Sequence, residues 1–183
     1  PTAGRRRRHH AWVAGPAGQR YQAGGRRPLE WRKQHLIDLV NPEGRQYISD
    51  RVDTLLRENN ISYLKWDQNR DQLEHGHAGR SSVHEQTLAA YRLFDELKKA
   101  HPGVEIESCS SGGARVDLGI LERTDRIWAS DCNDALDRQS IQRGTGLVIP
   151  PALAAGRVGP TTSHTTVRTP RPPSPPVPAL LAP

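Results

Sequence analysis

The chain has 183 residues, a formal net charge of +6 at pH 7 and two cysteines. Residues 29–166 hold 17 Lys and Arg and all 20 Asp and Glu, a balance of 17 − 20 = −3, so the positive charge belongs to the two ends. This distribution argues against specific nucleic-acid binding, and two cysteines are too few for a disulfide framework. No apolar run is long enough for a membrane span or a secretory signal, so we expect a cytoplasmic protein.

The first predicted elements are a helix and the strand that follows it. Asn41 is expected to cap the helix and Pro42 to begin it. Apolar residues then recur every three or four positions until the helix ends near Asn59 and Asn60, a spacing typical of one buried helix face. The residues with this spacing are Ile48, Val52, Leu55, Leu56 and Asn59. The next strand is predicted over 61–66.

The strand over 61–66 delivers a carboxylate, Asp67, between Lys65 and Asn69. Side chains alternate across a strand, so these three point to the same face. A cation keeps a carboxylate ionised and an amide can bind a hydroxylated ligand, a combination that is typical of a positioned nucleophile. The alternative is an ordinary ion pair at the end of a surface strand.

Helices and strands alternate through the rest of the central segment. A helix is predicted over 83–100, strands over 103–109 and 126–130, and a shorter helix over 134–143. The long helix is expected to bury Leu88, Tyr91, Phe94 and Leu97 and to stop at His101, Pro102 and Gly103. His75 and His77 flank Gly76 in a polar stretch, where solvated loop histidines are expected rather than zinc ligands.

The alternation predicts an α/β fold in which active residues stand at the carboxyl ends of parallel strands, as in a (β/α)8 barrel. Each predicted strand ends at or beside such a residue: Asp67, Cys109 and Asp131. A complete barrel needs about 250 residues, whereas residues 30–166 offer 137. We therefore expect a partial barrel over 29–166 that is incomplete at both ends.

The two ends have a different composition. Residues 1–28 contain seven arginines and no acid, and residues 167–183 contain seven prolines. Proline at this density removes backbone donors, so we expect a disordered tail over 167–183 and a disordered or non-native segment over 1–28. The abrupt change after residue 166 suggests a frame slip or a truncation.

Three motifs carry a specific resemblance: K-W-D-Q-N-R at 65–70, C-S-S-G-G-A-R-V-D at 109–117 and W-A-S-D-C-N-D at 128–134. In this order and at these separations they resemble glycoside hydrolase family 36, the microbial α-galactosidases, over about residues 30–166. Two positions depart from the family pattern. Ala114 stands where a third glycine is usual, which disfavours a positive φ there, and Gln68 stands where methionine is usual.

The resemblance implies that Asp67 is the nucleophile and Asp131 the acid/base, with Asp134 as the rival to Asp131. Lys65, Asn69, Cys109, Gly112 and Arg32 match sugar-contacting positions, although Cys109 on its own could equally be a small buried residue. The implied reaction is hydrolysis of terminal α-galactosyl groups of oligosaccharides by double displacement, which requires the two carboxyl groups to be about 5–5.5 Å apart. No cofactor, metal, nucleic acid or membrane is implied, and the full-length relatives are expected to be homo-oligomers.

A non-catalytic remnant of such an enzyme is the alternative function. A chain that keeps the motifs but cannot close its barrel would expose strand edges and would favour association with other chains.

Overall fold

The structure is a computed structural model that describes residues 35–70, 72, 75–156, 162–163 and 166–168. The two terminal segments, with Arg32 and most of the predicted proline-rich tail, lie outside these residues. The described residues divide into two compact units, one from residues up to 52 and 70–93 and the other from 53–69 and 94 onward. All the predicted site residues except Arg32 belong to the second unit.

Four helices and five strands follow one another in the described residues. The helices are α1 (Pro42–Glu58), α2 (Val83–Ala100), α3 (Leu118–Leu121) and α4 (Ala135–Thr145). The strands are β1 (Tyr63–Trp66), β2 (Gly76–His77), β3 (Arg80–Ser81), β4 (Glu105–Ser108) and β5 (Arg126–Ile127), and a short 3-10 helix follows at Pro151–Leu153. The helices predicted over 42–59, 83–100 and 134–143 are therefore confirmed, and α3 and the β2–β3 hairpin are additions.

The start of α1 follows from its sequence. The Asn41 side chain accepts a hydrogen bond of 3.0 Å from the backbone N–H of Glu43, as a capping residue does. Ile48, Val52 and Leu56 form the buried stripe of the helix, at four-residue intervals. Leu55 is 42% exposed, so its place in the predicted stripe is wrong.

Helix α2 has the predicted bounds, but one residue of its predicted buried stripe is wrong. Phe94 and Leu97 are buried as predicted, and Tyr91 is partly buried. Leu88 is 39% exposed, and Ala89 is fully buried in its place. The prediction for Leu88 is wrong because steps of four residues back from Leu97 pass through the buried Leu93 and reach the small Ala89 rather than the larger leucine.

In the first unit, β2 and β3 form an antiparallel hairpin instead of the predicted polar loop. Its turn residues Ala78 and Gly79 both have positive φ, which suits a tight two-residue turn. His75 Nδ1 lies 3.0 Å from Ser82 Oγ, and His77 Nδ1 lies 2.6 Å from Asp38 Oδ2. The prediction of solvated histidines is wrong for His75, which is buried, and this burial lowers its pKa.

In the second unit, β1, β4 and β5 form a parallel sheet in the order β1-β4-β5. Lys65 pairs in register with Glu107, and Ser108 with Ile127. A further parallel bridge joins Ile127 to Ala154. The α/β architecture with parallel strands is confirmed, and β1 and β4 end beside Asp67 and Cys109. The prediction of a strand over 126–130 that leads directly to Asp131 is wrong, because β5 ends at Ile127 and Asp131 lies in the loop that follows.

The two faces of this sheet differ. On one face, Trp66 meets Phe94 of α2 edge to face, with ring centroids 5.2 Å apart. The other face carries the polar residues of β1 and β4 that are described below. Arg115 links the ends of β1 and β4. Its Nη2 donates hydrogen bonds to the carbonyl oxygens of Trp66, at 2.8 Å, and Cys109, at 2.7 Å.

Asp125 ties α2 to β4 just before β5 begins. Its Oδ2 accepts hydrogen bonds of 2.6 Å from Lys98 Nζ and 2.7 Å from the backbone N–H of Ile106. Burial disfavours the carboxylate, but the hydrogen bonds from Lys98 and Ile106 outweigh it and lower the pKa of Asp125. The folded state therefore favours the ionised form.

We expect Asp125→Asn to lower the free energy of unfolding by about 1 kcal/mol at pH 7, since this carboxylate is about one-third exposed. A lowered folded-state pKa stabilises above the unfolded pKa, about 3.9, and this contribution is lost as the pH falls through the folded pKa. The difference from the parent chain should therefore shrink at pH 3. Urea unfolding of the 183-residue chain at both pH values measures it, with Glu58→Gln at the exposed end of α1 as the control. An equal loss at pH 7 and pH 3 would contradict this role.

Candidate active site

The first carboxylate of the site stands directly after β1. Asp67 is exposed, and its Oδ2 accepts a hydrogen bond of 2.8 Å from Asn69 Nδ2. The backbone N–H of Ser111 donates to Oδ1 at 3.3 Å, and Ser111 Oγ donates to Asn69 Oδ1 at 3.1 Å. Asp67 and Asn69 therefore lie together as the strand alternation predicted, and both oxygens of Asp67 have a fixed partner.

Lys65 does not lie beside Asp67 in the predicted way. Its Nζ forms an ion pair of 3.1 Å with Glu107 Oε1, because the two residues are direct neighbours in the β1–β4 register. The Tyr63 hydroxyl donates a hydrogen bond to Glu107 Oε2. The side chain of Glu107 is only 3% exposed, so it is a buried acid that needs these partners.

Glu107 lies on the polar face of the sheet and was not among the predicted site residues. The signal was present, because an acid stands two positions before Cys109 in the predicted strand, and alternate residues of a strand share a face. The structure brings Glu107, Lys65 and Tyr63 together on that face.

The loop after β4 approaches the end of the third strand closely. Ser111 and Gly112 have positive φ, of 45° and 83°. A Cβ on Gly112 would lie 3.0 Å from the backbone N of Asp131, and a Cβ on Gly113 would lie 2.5 Å from the carbonyl oxygen of Ala129. Glycine is needed at both positions for the two backbones to come this close.

Ala114 causes no strain in this loop. The described non-glycine residues with positive φ are Ala78, Ser111 and Val167, so Ala114 does not adopt the conformation that favours glycine. Its backbone N–H donates a 3.1 Å hydrogen bond to the carbonyl oxygen of Ser110. Alanine at this position therefore carries no backbone strain.

Cys109 lies in the core of the second unit with Trp128 and Ala155. Burial raises the pKa of the Cys109 thiol, and hydrogen bonding to Asp67 raises it further. A protonated, buried thiol is a poor nucleophile, so Cys109 acts here as a compact apolar residue. Its sugar contact stays a prediction.

The second carboxylate, Asp131, is exposed and follows β5 by a few residues. Its Oδ1 accepts a hydrogen bond of 2.8 Å from Trp128 Nε1. Through the loop at 111–112, Asp131 is joined to Asp67, because Ser111 donates to Asp67 and Gly112 lies against the backbone of Asp131. Two exposed carboxylates beside one loop can act as a nucleophile and a proton donor in a single reaction.

Asp134 is held differently. It caps α4 by accepting hydrogen bonds from the backbone N–H groups of Leu136, at 2.9 Å, and Asp137, at 3.1 Å. Arg168 Nη1 donates to it at 2.8 Å, so the first residues of the predicted disordered tail belong to this unit. The hydrogen bond from the Thr166 hydroxyl lowers the pKa of Asp134.

Neither a metal centre nor a membrane span is found in the part of the chain that the structure describes. It contains no group of three or more His, Cys, Asp or Glu arranged to hold a metal ion. Its helices include none that is both long enough and apolar enough to cross a membrane.

The chain is similar to known proteins in both sequence and structure. Residues 5–172 match the Melibiase family, so the match extends beyond the motif-bearing segment at both ends, and the chain belongs to that family. It is 41% identical over 162 residues to the alpha-galactosidase of Escherichia coli, covering 88% of this chain and 22% of that protein. Alpha-galactosidase C of Emericella nidulans is 38% identical over 169 residues, with 92% and 21% covered.

Solved structures show the same similarity. The glycoside hydrolase family 36 alpha-galactosidase AgaA of Geobacillus stearothermophilus matches with a TM-score of 0.78 at 31% identity, over 84% of this chain and 22% of that one. Variants of AgaA have been solved in complex with raffinose and with stachyose. The chain spans about one fifth of the length of these relatives.

We expect Gly112→Ala to destabilise the 183-residue chain more than Gly79→Ala does. Both glycines have positive φ, so each change should cost about 1 kcal/mol of backbone strain. Only at Gly112 does the added Cβ meet backbone atoms, whereas nothing lies within 4 Å at Gly79. The extra cost should be about 1–3 kcal/mol in urea unfolding. Equal losses would mean that Gly112 does not lie against Asp131.

Proposed function

We propose that this chain forms the part of a retaining α-galactosidase barrel that carries both catalytic carboxylates. The observation that supports this most directly is the link from Asp67 through Ser111 and Gly112 to Asp131 at one edge of a parallel sheet. A (β/α)8 barrel places its catalytic groups at the carboxyl ends of neighbouring strands in this way. The substrates would be oligosaccharides with terminal α-galactosyl groups, in line with the raffinose and stachyose complexes of AgaA.

In the proposed reaction, Asp67 attacks the anomeric carbon while Asp131 protonates the departing glycosidic oxygen. Asp131 then removes a proton from water, which hydrolyses the galactosyl-enzyme and returns Asp67 to its free form. Net retention follows from two inversions and requires a carboxyl separation of about 5–5.5 Å. The steps use no cofactor.

Asp131 is a better proton donor than Asp134 on physical grounds. A general acid works best when its pKa lies near the operating pH, and the pKa of Asp134 is lowered by the hydrogen bond from Thr166. Asp134 is also buried, and its oxygens are occupied by the α4 cap and by Arg168. Asp131 is exposed and can reach a ligand.

The proposed sugar contacts are Lys65, Asn69, Cys109, Gly112 and Arg32. Lys65 is fixed by Glu107, so its ammonium group can donate to a sugar hydroxyl without prior reorganisation. Asn69 uses one amide N–H on Asp67, and an amide has a second N–H to offer. A cytoplasmic location and a homo-oligomeric full-length enzyme complete the proposal.

The competing proposal is a non-catalytic remnant. Within the described residues the parallel sheet has three strands, and an open parallel sheet leaves edges that invite association. A hybrid separates the two proposals: this chain replaces the aligned segment of the Escherichia coli alpha-galactosidase, with which it is 41% identical. The hybrid should hydrolyse an aryl α-galactoside if this chain can supply the catalytic carboxylates, and an inactive, folded hybrid would favour the remnant.

In the hybrid, Asp67→Ala should reduce turnover by at least about 10⁴, because it removes the nucleophile and leaves the fold intact. Azide can then occupy the space and yield a galactosyl azide of inverted configuration. Asn69→Ala is the matched control, since it removes the neighbour of Asp67 and should only reduce turnover in part. Near-normal activity of Asp67→Ala would remove the nucleophile assignment.

In the same hybrid, Asp131→Asn and Asp134→Asn form a matched pair. Asp131→Asn should slow substrates with poor leaving groups by about 10²–10⁴, while galactosylation by an activated aryl galactoside is largely spared. Asp134→Asn keeps a good capping residue but loses the charge that pairs with Arg168. It should therefore lower thermal stability slightly and show no dependence on the leaving group. The reverse pattern would assign the acid role to Asp134.

A further inference from the structure

Three charged side chains of the second unit meet at Trp128, which is 3% exposed. Its indole Nε1 lies 2.8 Å from Asp131 Oδ1. Lys65 Nζ lies 4.3 Å, and Arg138 Cζ 4.8 Å, from the centre of its ring. One buried indole therefore contacts a proposed catalytic carboxylate, a proposed sugar-binding cation and a buried arginine.

We propose that Trp128 is a positioning residue that fixes Asp131 with Oδ1 as the hydrogen-bond acceptor, so that Oδ2 carries the proton delivered to the leaving oxygen. This inference rests on the proposed function of Asp131 and adds to it the atom that holds the proton.

The chemistry of indole determines which oxygen is free. An indole nitrogen is a donor only and cannot accept a hydrogen bond. A proton on Asp131 Oδ1 that pointed toward Trp128 Nε1 would oppose the N–H, and a hydroxyl oxygen is a weaker acceptor than a carbonyl oxygen, so the protonated acid keeps its strongest bond to Trp128 when its proton is on Oδ2. The hydrogen bond is thus compatible with both protonation states, and the carboxyl group does not need to rotate between the two chemical steps.

The ring is held in place by its two cations. A guanidinium or ammonium group over an indole face is stabilised electrostatically, more strongly where water is excluded. Arg138 is 2% exposed, and burial lowers its pKa. Its buried guanidinium contacts the Trp128 ring and donates a 2.9 Å hydrogen bond to the carbonyl oxygen of Ser130, and both contacts offset part of the cost of burying the charge. Rotation of Trp128 would remove this compensation from a buried charge, which is costly.

Arg138 acts on the same segment from its other end. The carbonyl oxygen that it binds belongs to Ser130, the residue just before Asp131. The backbone of Asp131 is also limited by Gly112, where an added Cβ would lie 3.0 Å from Asp131 N. Trp128 fixes the side chain of Asp131 while Arg138 and Gly112 fix its backbone.

Indole NMR of the 183-residue chain tests the hydrogen bond without any need for turnover. The chain contains four tryptophans, at 12, 31, 66 and 128. In a ¹⁵N-tryptophan spectrum, Asp131→Asn should shift the Trp128 indole signal upfield and leave the Trp66 signal in place, with Trp66→Phe and Trp128→Phe used for assignment. The proposal would be overturned if the Trp128 signal did not shift, or if all four indole signals had the chemical shift of an unfolded chain.

Kinetics of the E. coli hybrid test the consequence. Trp128→Phe should reduce turnover of a poor leaving-group substrate about 10- to 100-fold, the value of a hydrogen bond to a charged group, with KM changed less than about twofold. Galactosylation by an activated aryl galactoside should change less than about threefold, and azide should accelerate breakdown of the intermediate. Replacement of Trp128 by 3-benzothienylalanine, which retains the ring and lacks the N–H, should give the same pattern even if Trp128→Phe does not fold.

Trp66→Phe is the matched control in the hybrid, because its indole lies against Phe94 on the opposite face of the sheet. It should leave the ratio of the two substrates unchanged. An equal loss on both substrates for Trp128→Phe, or full activity of the benzothienyl variant, would overturn the positioning role. If Asp131→Asn itself showed no leaving-group dependence, the proposed function would fail, while the NMR result would still decide the hydrogen bond.

Discussion

The contact on which the site depends is the approach of the Gly112–Gly113 backbone to the residues before and at Asp131. A side chain on Gly113 would lie 2.5 Å from the carbonyl oxygen of Ala129, a separation that real Cβ atoms do not tolerate. Ser111, the residue before Gly112, donates its backbone N–H to Asp67, so the same loop also fixes the first carboxylate. Without this contact, the ends of β1 and β5 would have no common support for the two acids.

The charged residues of the site are arranged around the buried ion pair of Lys65 and Glu107 rather than around the exposed acids. Register places Lys65 opposite Glu107, and Tyr63 donates to the second oxygen of that acid. A buried acid with one partner removed costs about 3–5 kcal/mol, so these residues constrain one another. Lys65 is thereby directed toward Glu107 and Trp128, and Asp67 is held by hydrogen bonds from Asn69 and Ser111 instead of by the predicted cation.

The sequence was sufficient to predict the long helices, the three parallel strands and the side-by-side placement of Asp67 and Asn69, because helical period, strand alternation and capping residues are local signals. It misplaced Leu55 and Leu88, since apolar spacing alone does not decide which of two adjacent residues faces the core. It missed the hairpin around Ala78 and the partner of Lys65. The latter depends on the register between β1 and β4, which is set by long-range pairing.

The acids of the three motifs separate physically into two groups. Asp117 caps α3 by accepting from the backbone N–H of Ile120, and Asp134 caps α4, so both carboxylates satisfy helix ends. Asp67 and Asp131 are exposed, Asp67 directly after β1 and Asp131 in the loop after β5, and they accept hydrogen bonds that orient them without enclosing them. An acid engaged by a cap cannot approach a substrate without leaving backbone donors unsatisfied. The same motifs therefore contain both the capping acids and the acids that we propose to react, and the hydrogen bonds that each carboxylate accepts distinguish the two groups.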